Sequence, residues 1–374
     1  MNWLMMNAPA AIFLLFVFAF GLVVGSFLNV LIARLPFEKS VIWPGSRCFI
    51  CLQSLRFADN LPILGYLRLR GRCRLCGATF SSRYLWVELA TGLAFVGLFV
   101  AEITFNTGEA PGLKNAMWGG VPTLNAWILF FVHSFLLAML IAASVIDLQF
   151  KIVPAQITIT GTLAGLIAST LLPWPWPSDV NQLPASLFVF PWSHPANAGV
   201  IPIGATLWPV WEPWNWAPAG SVQLGFLTAL TGAAAGQAIG RLVKYLFEMG
   251  FGKEALGIGD ADLLMMAGAF LGWQPIAIAF FVGAVVLLPI VLLLRLASLI
   301  RRAPPSEDPA IPFGPGIAAG IVIVWLGWPL FGELVQTVFF EEVILGAMIV
   351  LMGGGLLAAG TIIHLFRGSE DPPV

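Results

Sequence analysis

Charge is scarce in this chain. Only 10% of its 374 residues are Asp, Glu, Lys or Arg, against roughly 25% in soluble domains. Hydrophobic residues make up 59%, and the mean hydropathy is +0.91. These values exclude an ordinary water-soluble domain. The net charge of -1 gives no basis for nucleic-acid binding. Residues 1–9 hold no Lys or Arg. The first apolar run, residues 10–32, therefore lacks the positive n-region of a signal peptide; it is also too long for one and has no convincing cleavage site. It reads as an uncleaved span with its N-terminus outside. Residues 173–222 also lack Lys and Arg, which places them outside as well. No glycine-rich dinucleotide fingerprint follows a strand.

What the chain does have is a series of apolar runs of about 20 residues, long enough to cross a hydrocarbon core of roughly 30 Å. The expected fold is an all-α polytopic membrane protein of about eight to nine transmembrane helices with a small cytoplasmic insert. Nine of the 18 basic residues fall in one stretch: Arg34, Lys39, Arg47, Arg56, Arg68, Arg70, Arg72, Arg74 and Arg83. The positive-inside rule makes that stretch cytoplasmic. The expected organisation is a first span over 1–33 and the insert over 34–84. Spans two to four follow over 85–172, and an outer Trp/Pro-rich insertion over 173–222. Spans five to eight occupy 223–332, and an extra span with a tail occupies 333–374. Every basic cluster then lies on one side. Tryptophan favours the headgroup zone and proline interrupts helix, so the insertion reads as lying on the outer leaflet. An aromatic ligand cage is the competing reading.

All four cysteines lie in the insert, as Cys48-Phe49-Ile50-Cys51 and Cys73-Arg74-Leu75-Cys76. Two Cys-x-x-Cys pairs can set four thiolates around Zn²⁺. A segment this small has little core of its own, so a metal staple is physically reasonable. Disulfides compete, but a cytoplasmic face is reducing. Four sulfurs close the coordination shell, so the metal reads as structural. The stretch 52–72 is long enough for a small hairpin.

Few acids sit where spans meet the cytoplasm: Glu88, Asp147, Asp260 and Asp262. Asp147 closes the apolar run 126–146. Asp260 opens another behind Gly257-Ile258-Gly259, whose glycines let the backbone bend and approach a substrate strand. Two carboxylates held close together cannot both ionise and share a proton. The ionised member takes a proton from water, while the other polarises a peptide carbonyl and protonates the leaving amine. The plainer readings are an interfacial stop paired with Lys151 for Asp147 and helix capping for Glu88. For Ser26 and Asn29 in the first span the plain reading is interhelical packing. Glu102 reads as interfacial, and His133 as an interhelical hydrogen-bond partner.

Taken in order, these residues resemble a known family. The segments are Gly25-Ser26-Phe27-Leu28-Asn29-Val30 with Arg34-Leu35-Pro36, the four cysteines around Leu67-Arg68-Leu69-Arg70-Gly71, and Ser82-Arg83-Tyr84 with Val87-Glu88. Asp147 with Pro154, Gly257 to Asp260, and Ile311-Pro312-Phe313-Gly314-Pro315 complete the set. Over residues 21–332 the chain is similar to the type IV prepilin peptidases, bacterial leader peptidases and N-methyltransferases of the inner membrane. The resemblance implies cleavage of a prepilin or pseudopilin after glycine at the cytoplasmic face, with Asp147 and Asp260 as the catalytic pair. It also implies methylation of the new N-terminus with S-adenosylmethionine, for which the insert and Glu88 are the candidate cofactor site. Pilus assembly, type II secretion and DNA uptake use such precursors. The chain departs from the family at Asp262, where Lys is frequent, and at Ala155, where an acid is frequent; the Trp/Pro insertion and the ninth span are additional. Two other readings compete: a preflagellin- or presenilin-like Gly-x-Gly-Asp protease, and a proton-coupled transporter or assembly platform without enzyme activity. Missing inverted repeats and the lack of mid-membrane charge count against transport.

Overall fold

A computed structural model describes residues 2–107, 116–118, 121–172, 216, 221–251, 257–300, 312–328 and a few positions between 330 and 355. The chain forms two compact units, Met1–Ile157 and Thr158–Val374. Most of the Trp/Pro-rich insertion and of the expected ninth span lies outside the described residues.

The first unit is built on three long helices: α1 (Asn2–Arg34), α3 (Arg83–Phe99) and α4 (Leu124–Phe150). A five-residue helix, α2 (Leu64–Arg68), belongs to the insert between α1 and α3. α3 ends in a π-helical turn, Val100–Thr104. A two-residue ladder, β1 (Met117–Trp118) with β2 (Val121–Pro122), leads into α4. Thr123 caps α4 by accepting the Ala126 N–H at 3.3 Å, which satisfies one of the orphan donors of the first turn.

α1 and α3 pack closely because both faces are small. A β-carbon added at Gly25 would lie 2.8 Å from Glu88 Cα, and one added at Gly21 would lie 2.8 Å from Gly92 Cα. Small residues let helix backbones approach where lipid offers no hydrophobic drive to associate. Toward the N-terminal half of α1 the packing turns aromatic. Phe99, Phe130 and Phe131 gather around Trp127, with ring centroids 5.5 to 5.9 Å apart.

The chain leaves the first unit within α5 (Ala155–Leu171). The second unit adds α6 (Val222–Phe251), α7 (Ile258–Leu271), α8 (Trp273–Ile300) and α9 (Gly314–Leu326). α6 meets α7 along Gly232, Gly236 and Gly240. A β-carbon at these positions would come within 2.1 Å of Gly268 O, 2.4 Å of Leu264 O and 2.5 Å of Ala261 Cβ. The Ser169 hydroxyl of α5 donates to Ala269 O of α7 at 2.8 Å. α7, the helix that opens with Asp260, is thus held against two others.

Four helices among the described residues are long and apolar enough to cross a membrane: Ala11–Phe37, Arg83–Thr104, Leu124–Phe150 and Val222–Met249. Ala155–Leu171, Trp273–Pro289 and Gly314–Leu326 are apolar but shorter. The all-α polytopic class is as expected, while the count of eight to nine spans is not fixed by these helices.

Candidate functional site

The four cysteines come together in two turns of the same construction. Arg47 bridges Ser54 and Arg72 bridges Thr79. Within them Cys48 N–H donates to Gln53 O at 3.0 Å and Cys73 N–H donates to Ala78 O at 2.7 Å. Leu52 and Gly77 fill the equivalent left-handed positions, with φ of 58° and 72°. A spacing of 25 residues relates every member of the first turn to its counterpart in the second. The hairpin expected over 52–72 is not there. Each Cys-x-x-Cys pair has its own turn, and the stretch between holds a 3-10 turn, Phe57–Asp59, and α2.

The sulfurs all lie within 4.8 Å of one another. Cys48 Sγ is 3.7 Å from Cys76 Sγ, and Cys51 Sγ is 3.9 Å from Cys73 Sγ. None is in a disulfide. Four sulfurs about 2.3 Å from a tetrahedral ion sit about 3.8 Å apart, so the donor set fits a metal of that kind. The backbone N–H groups of Cys51 and Ile50 hold the Cys48 thiol down to about 7. Those of Cys76 and Leu75 lower Cys73 in the same way. At Cys76 the Ala78 N–H pulls down, but burial and the other three sulfurs outweigh it and push the thiol up to about 11. The amides of each turn thus favour the thiolate form of its first cysteine.

Glu88 is buried in the second turn of α3, yet it caps nothing on its own helix. Its Oε2 accepts the N–H of Ile63, in the insert, at 2.7 Å, and the Ser26 hydroxyl of α1 donates to the same carboxylate. Asn29 of α1 donates from Nδ2 to Tyr84 O at 2.9 Å. These contacts tie α1, α3 and the insert together around a cavity of about 180 Å³ lined by Ser26, Asn29, Arg34, Tyr66 and Glu88 among others. Arg34, at the end of α1, spreads its guanidinium over the carbonyls of Ser40, Val41, Pro44 and Gly45 at 2.6 to 3.2 Å. That fan folds the chain back toward the first cysteine turn.

Asp147 lies in the last turn of α4 and is 6% exposed. The helix stops at Lys151, which is left-handed with φ 55° and donates its N–H to Asp147 O at 2.8 Å. Asp260, also 6% exposed, is the third residue of α7. Its Oδ2 accepts the N–H of Gly257 at 3.1 Å, so the carboxylate lies over the amides of its own helix N-terminus. Asp262 faces differently and accepts Gln237 Nε2–H of α6 at 2.7 Å. Asp147 belongs to the first unit and Asp260 to the second.

Glu102, which reads as interfacial in the sequence, is buried. Its carboxylate meets His133 Nδ1 at 2.8 and 2.9 Å, inside the π-helical turn. His133 is an interhelical hydrogen-bond partner, as expected. The glycine stripe of α6 carries a Gly-x-x-x-Gly spacing, a packing signal readable in the sequence.

Helices that cross a membrane, joined to a tetracysteine module, define a polytopic α-helical membrane protein. Residues 19–102 match the bacterial peptidase A24 N-terminal domain, and residues 134–292 match the type IV leader peptidase family. The chain is similar to the prepilin leader peptidase/N-methyltransferase of Myxococcus xanthus, 33% identical over 265 residues, which covers 70% of this chain and 57% of the relative. The protein of that name from Klebsiella pneumoniae is 32% identical over 267 residues, covering 69% of this chain and 85% of the relative. That from Aeromonas salmonicida is 29% identical over 336 residues, covering 83% and 89%. The chain belongs to the type IV leader peptidase family. No solved structure matches it.

Proposed function

We propose that the chain is a prepilin or pseudopilin leader peptidase of the bacterial inner membrane, with Asp147 and Asp260 as its paired carboxylates. The observation that carries this reading is the burial of both acids at helix ends, within the segment 134–292 that matches the family. The basic insert supports an orientation with the N-terminus outside and the insert and both acids on the cytoplasmic side.

In this reading the two acids hold one proton between them. The N-terminal amides of α7 favour a negative charge at Asp260, so Asp260 is the base and Asp147 the acid. Asp260 takes a proton from water as the water oxygen bonds to the carbonyl carbon of the substrate's glycine. The C–N bond then breaks, and Asp147 gives its proton to the leaving nitrogen. The substrate's apolar helix stays in the bilayer and its leader in the cytoplasm.

The tetracysteine cluster holds structural Zn²⁺, with no place left for a reacting water. Glu88 and the cavity beside it are the cofactor site for the second activity. Glu88 would hold S-adenosylmethionine there, which would supply a methyl group for the new N-terminal nitrogen. What supports this is the junction that Glu88 makes between α3 and the insert.

The test uses purified protein in lipid vesicles with a precursor whose leader ends in glycine. Wild type cleaves it, and Asp147→Asn and Asp260→Asn do not, while both keep the wild-type melting midpoint. Cleavage at the wild-type rate by either variant overturns the pairing. Labelled S-adenosylmethionine on the same preparation reads the methyl transfer; absence of label in the product leaves a peptidase alone.

A further inference from the structure

The cavity beside Glu88 has a one-sided set of unmet hydrogen bonds. Its cationic and anionic neighbours are largely spoken for. Arg34 donates to four backbone carbonyls, Asp59 is paired with Arg74, and the Tyr66 hydroxyl points to Phe80 O at 3.4 Å. Two groups remain. Glu88 is 8% exposed and among the described residues accepts from Ile63 N–H and Ser26, whereas a carboxylate has about four acceptor positions. Asn29 is 3% exposed. Its nitrogen is used on Tyr84 O, and its Oδ1 is buried with no partner among the described residues. A buried acceptor left unmade is costly, so such an atom calls for an explanation.

Both groups accept, and one is a carboxyl group. They sit on α1 and α3, which Gly25 brings into close approach at Glu88 Cα. An anion would meet a carboxylate here, and an apolar group would leave both acceptors unmet. The complement is a cationic donor with several N–H groups. At about 180 Å³ the cavity is smaller than a whole small-molecule site of roughly 300–1,000 Å³, so it takes one end of a ligand.

We propose that this cavity receives a primary ammonium group, held by the Glu88 carboxylate and Asn29 Oδ1. The inference rests on the methyl-transfer reading above, which offers two sources of that chemistry. One is the amino-acid end of the methyl donor. The other is the N-terminal amine that cleavage releases. Three N–H donors on an ammonium match the acceptors present, and a charge-assisted bond to Glu88 is the stronger contact.

The experiment is isothermal titration of the full chain in detergent with two matched pairs. The first pair is S-adenosylhomocysteine and its N-acetyl derivative; the second is a peptide starting at the cleaved bond with a free or an acetylated N-terminus. The free amine of at least one pair binds about tenfold or more tighter than its blocked form, as expected for a hydrogen bond to a charged group. A preference in the adenosyl pair alone identifies the donor as the source; in the peptide pair alone, the processed substrate. Glu88→Gln keeps an oxygen for Ile63 N–H and removes the preference. Asn29→Ala, which leaves that contact in place, is the second variant and narrows it. Equal binding of free and blocked forms in both pairs, or a preference unchanged in Glu88→Gln, overturns the inference. Cleavage and label transfer are read on the same preparation. Activities present without an amine preference sink this inference alone, and a preference without activities sinks only the proposed function.

Discussion

Asp262 accepts a hydrogen bond from Gln237 at 2.7 Å and so spends its carboxylate joining α7 to α6. Asp260, two residues earlier, is turned back over the N-terminus of α7 and bonds Gly257 N–H. The two neighbouring acids therefore do different work, and substitution separates them. Asp260→Asn loses precursor cleavage by about 10²–10⁴-fold, the usual contribution of a positioned acid or base. Asp262→Asn keeps an oxygen for Gln237 and stays within a few-fold of wild type. Gel separation of precursor and product in reconstituted vesicles measures both; loss of cleavage in Asp262→Asn alone would reverse the assignment.

The cysteine pattern was legible because metal spacing is local in sequence. The repeat behind it was not, because the second turn uses Gly77 at its left-handed position where the first uses Leu52. Only the spacing of 25 residues betrays the repeat. The spans were legible from hydropathy, since burial in lipid needs only length and composition. Pairings across long separations were not. Glu102 reads as interfacial until His133, on another helix, is seen beside it. Glu88 reads as a helix cap until Ile63 supplies its partner. Side-chain hydrogen bonds of this kind depend on how helices are rotated against each other, which a single sequence does not carry.

Metal affinity of the insert falls as pH is lowered, because binding displaces thiol protons. Cys48, held at about 7 by the Cys51 and Ile50 amides, is largely thiolate at pH 8 and largely thiol at pH 6. Its folded value lies below the ordinary one, so the stabilisation it gives is present above that ordinary value and is lost as pH falls through about 7. Competition with a chromogenic chelator between pH 6 and 8 shows weakening toward acid, steepest below about 7 as Cys48 adds its proton. Affinity independent of pH would mean that thiolates are not the ligands. Cys73→Ser lowers affinity at every pH.

Gly236 of α6 sets the seat of α7. A β-carbon there would lie 2.4 Å from Leu264 O, against backbone that has no flexible end to yield. Gly236→Ala destabilises the second unit by about 1–3 kcal/mol, the usual range for overpacking. Gly97, with nothing within 4 Å, is the control, and Gly97→Ala is near neutral. Chemical denaturation in detergent reads both. Precursor cleavage falls in the first variant and not in the second, because the helix that opens with Asp260 is displaced only there.

Glu102 and His133 face each other with side chains only 4% and 3% exposed, in a region otherwise packed with Phe and Trp rings. A buried pair is weak evidence for net stabilisation, but breaking it is costly because one polar group is left without its partner. His133→Ala therefore lowers stability by about 3–5 kcal/mol, as found when one member of a buried pair is removed. The double variant His133→Leu with Glu102→Leu recovers much of that loss, because neither polar group then needs a partner. The π-helical turn at Val100–Thr104 is where the difference registers. Hydrogen exchange there rises sharply in His133→Ala and returns toward wild type in the double variant. Equal exchange in all three proteins would mean that the turn is held by the surrounding aromatic rings and not by the Glu102–His133 contact.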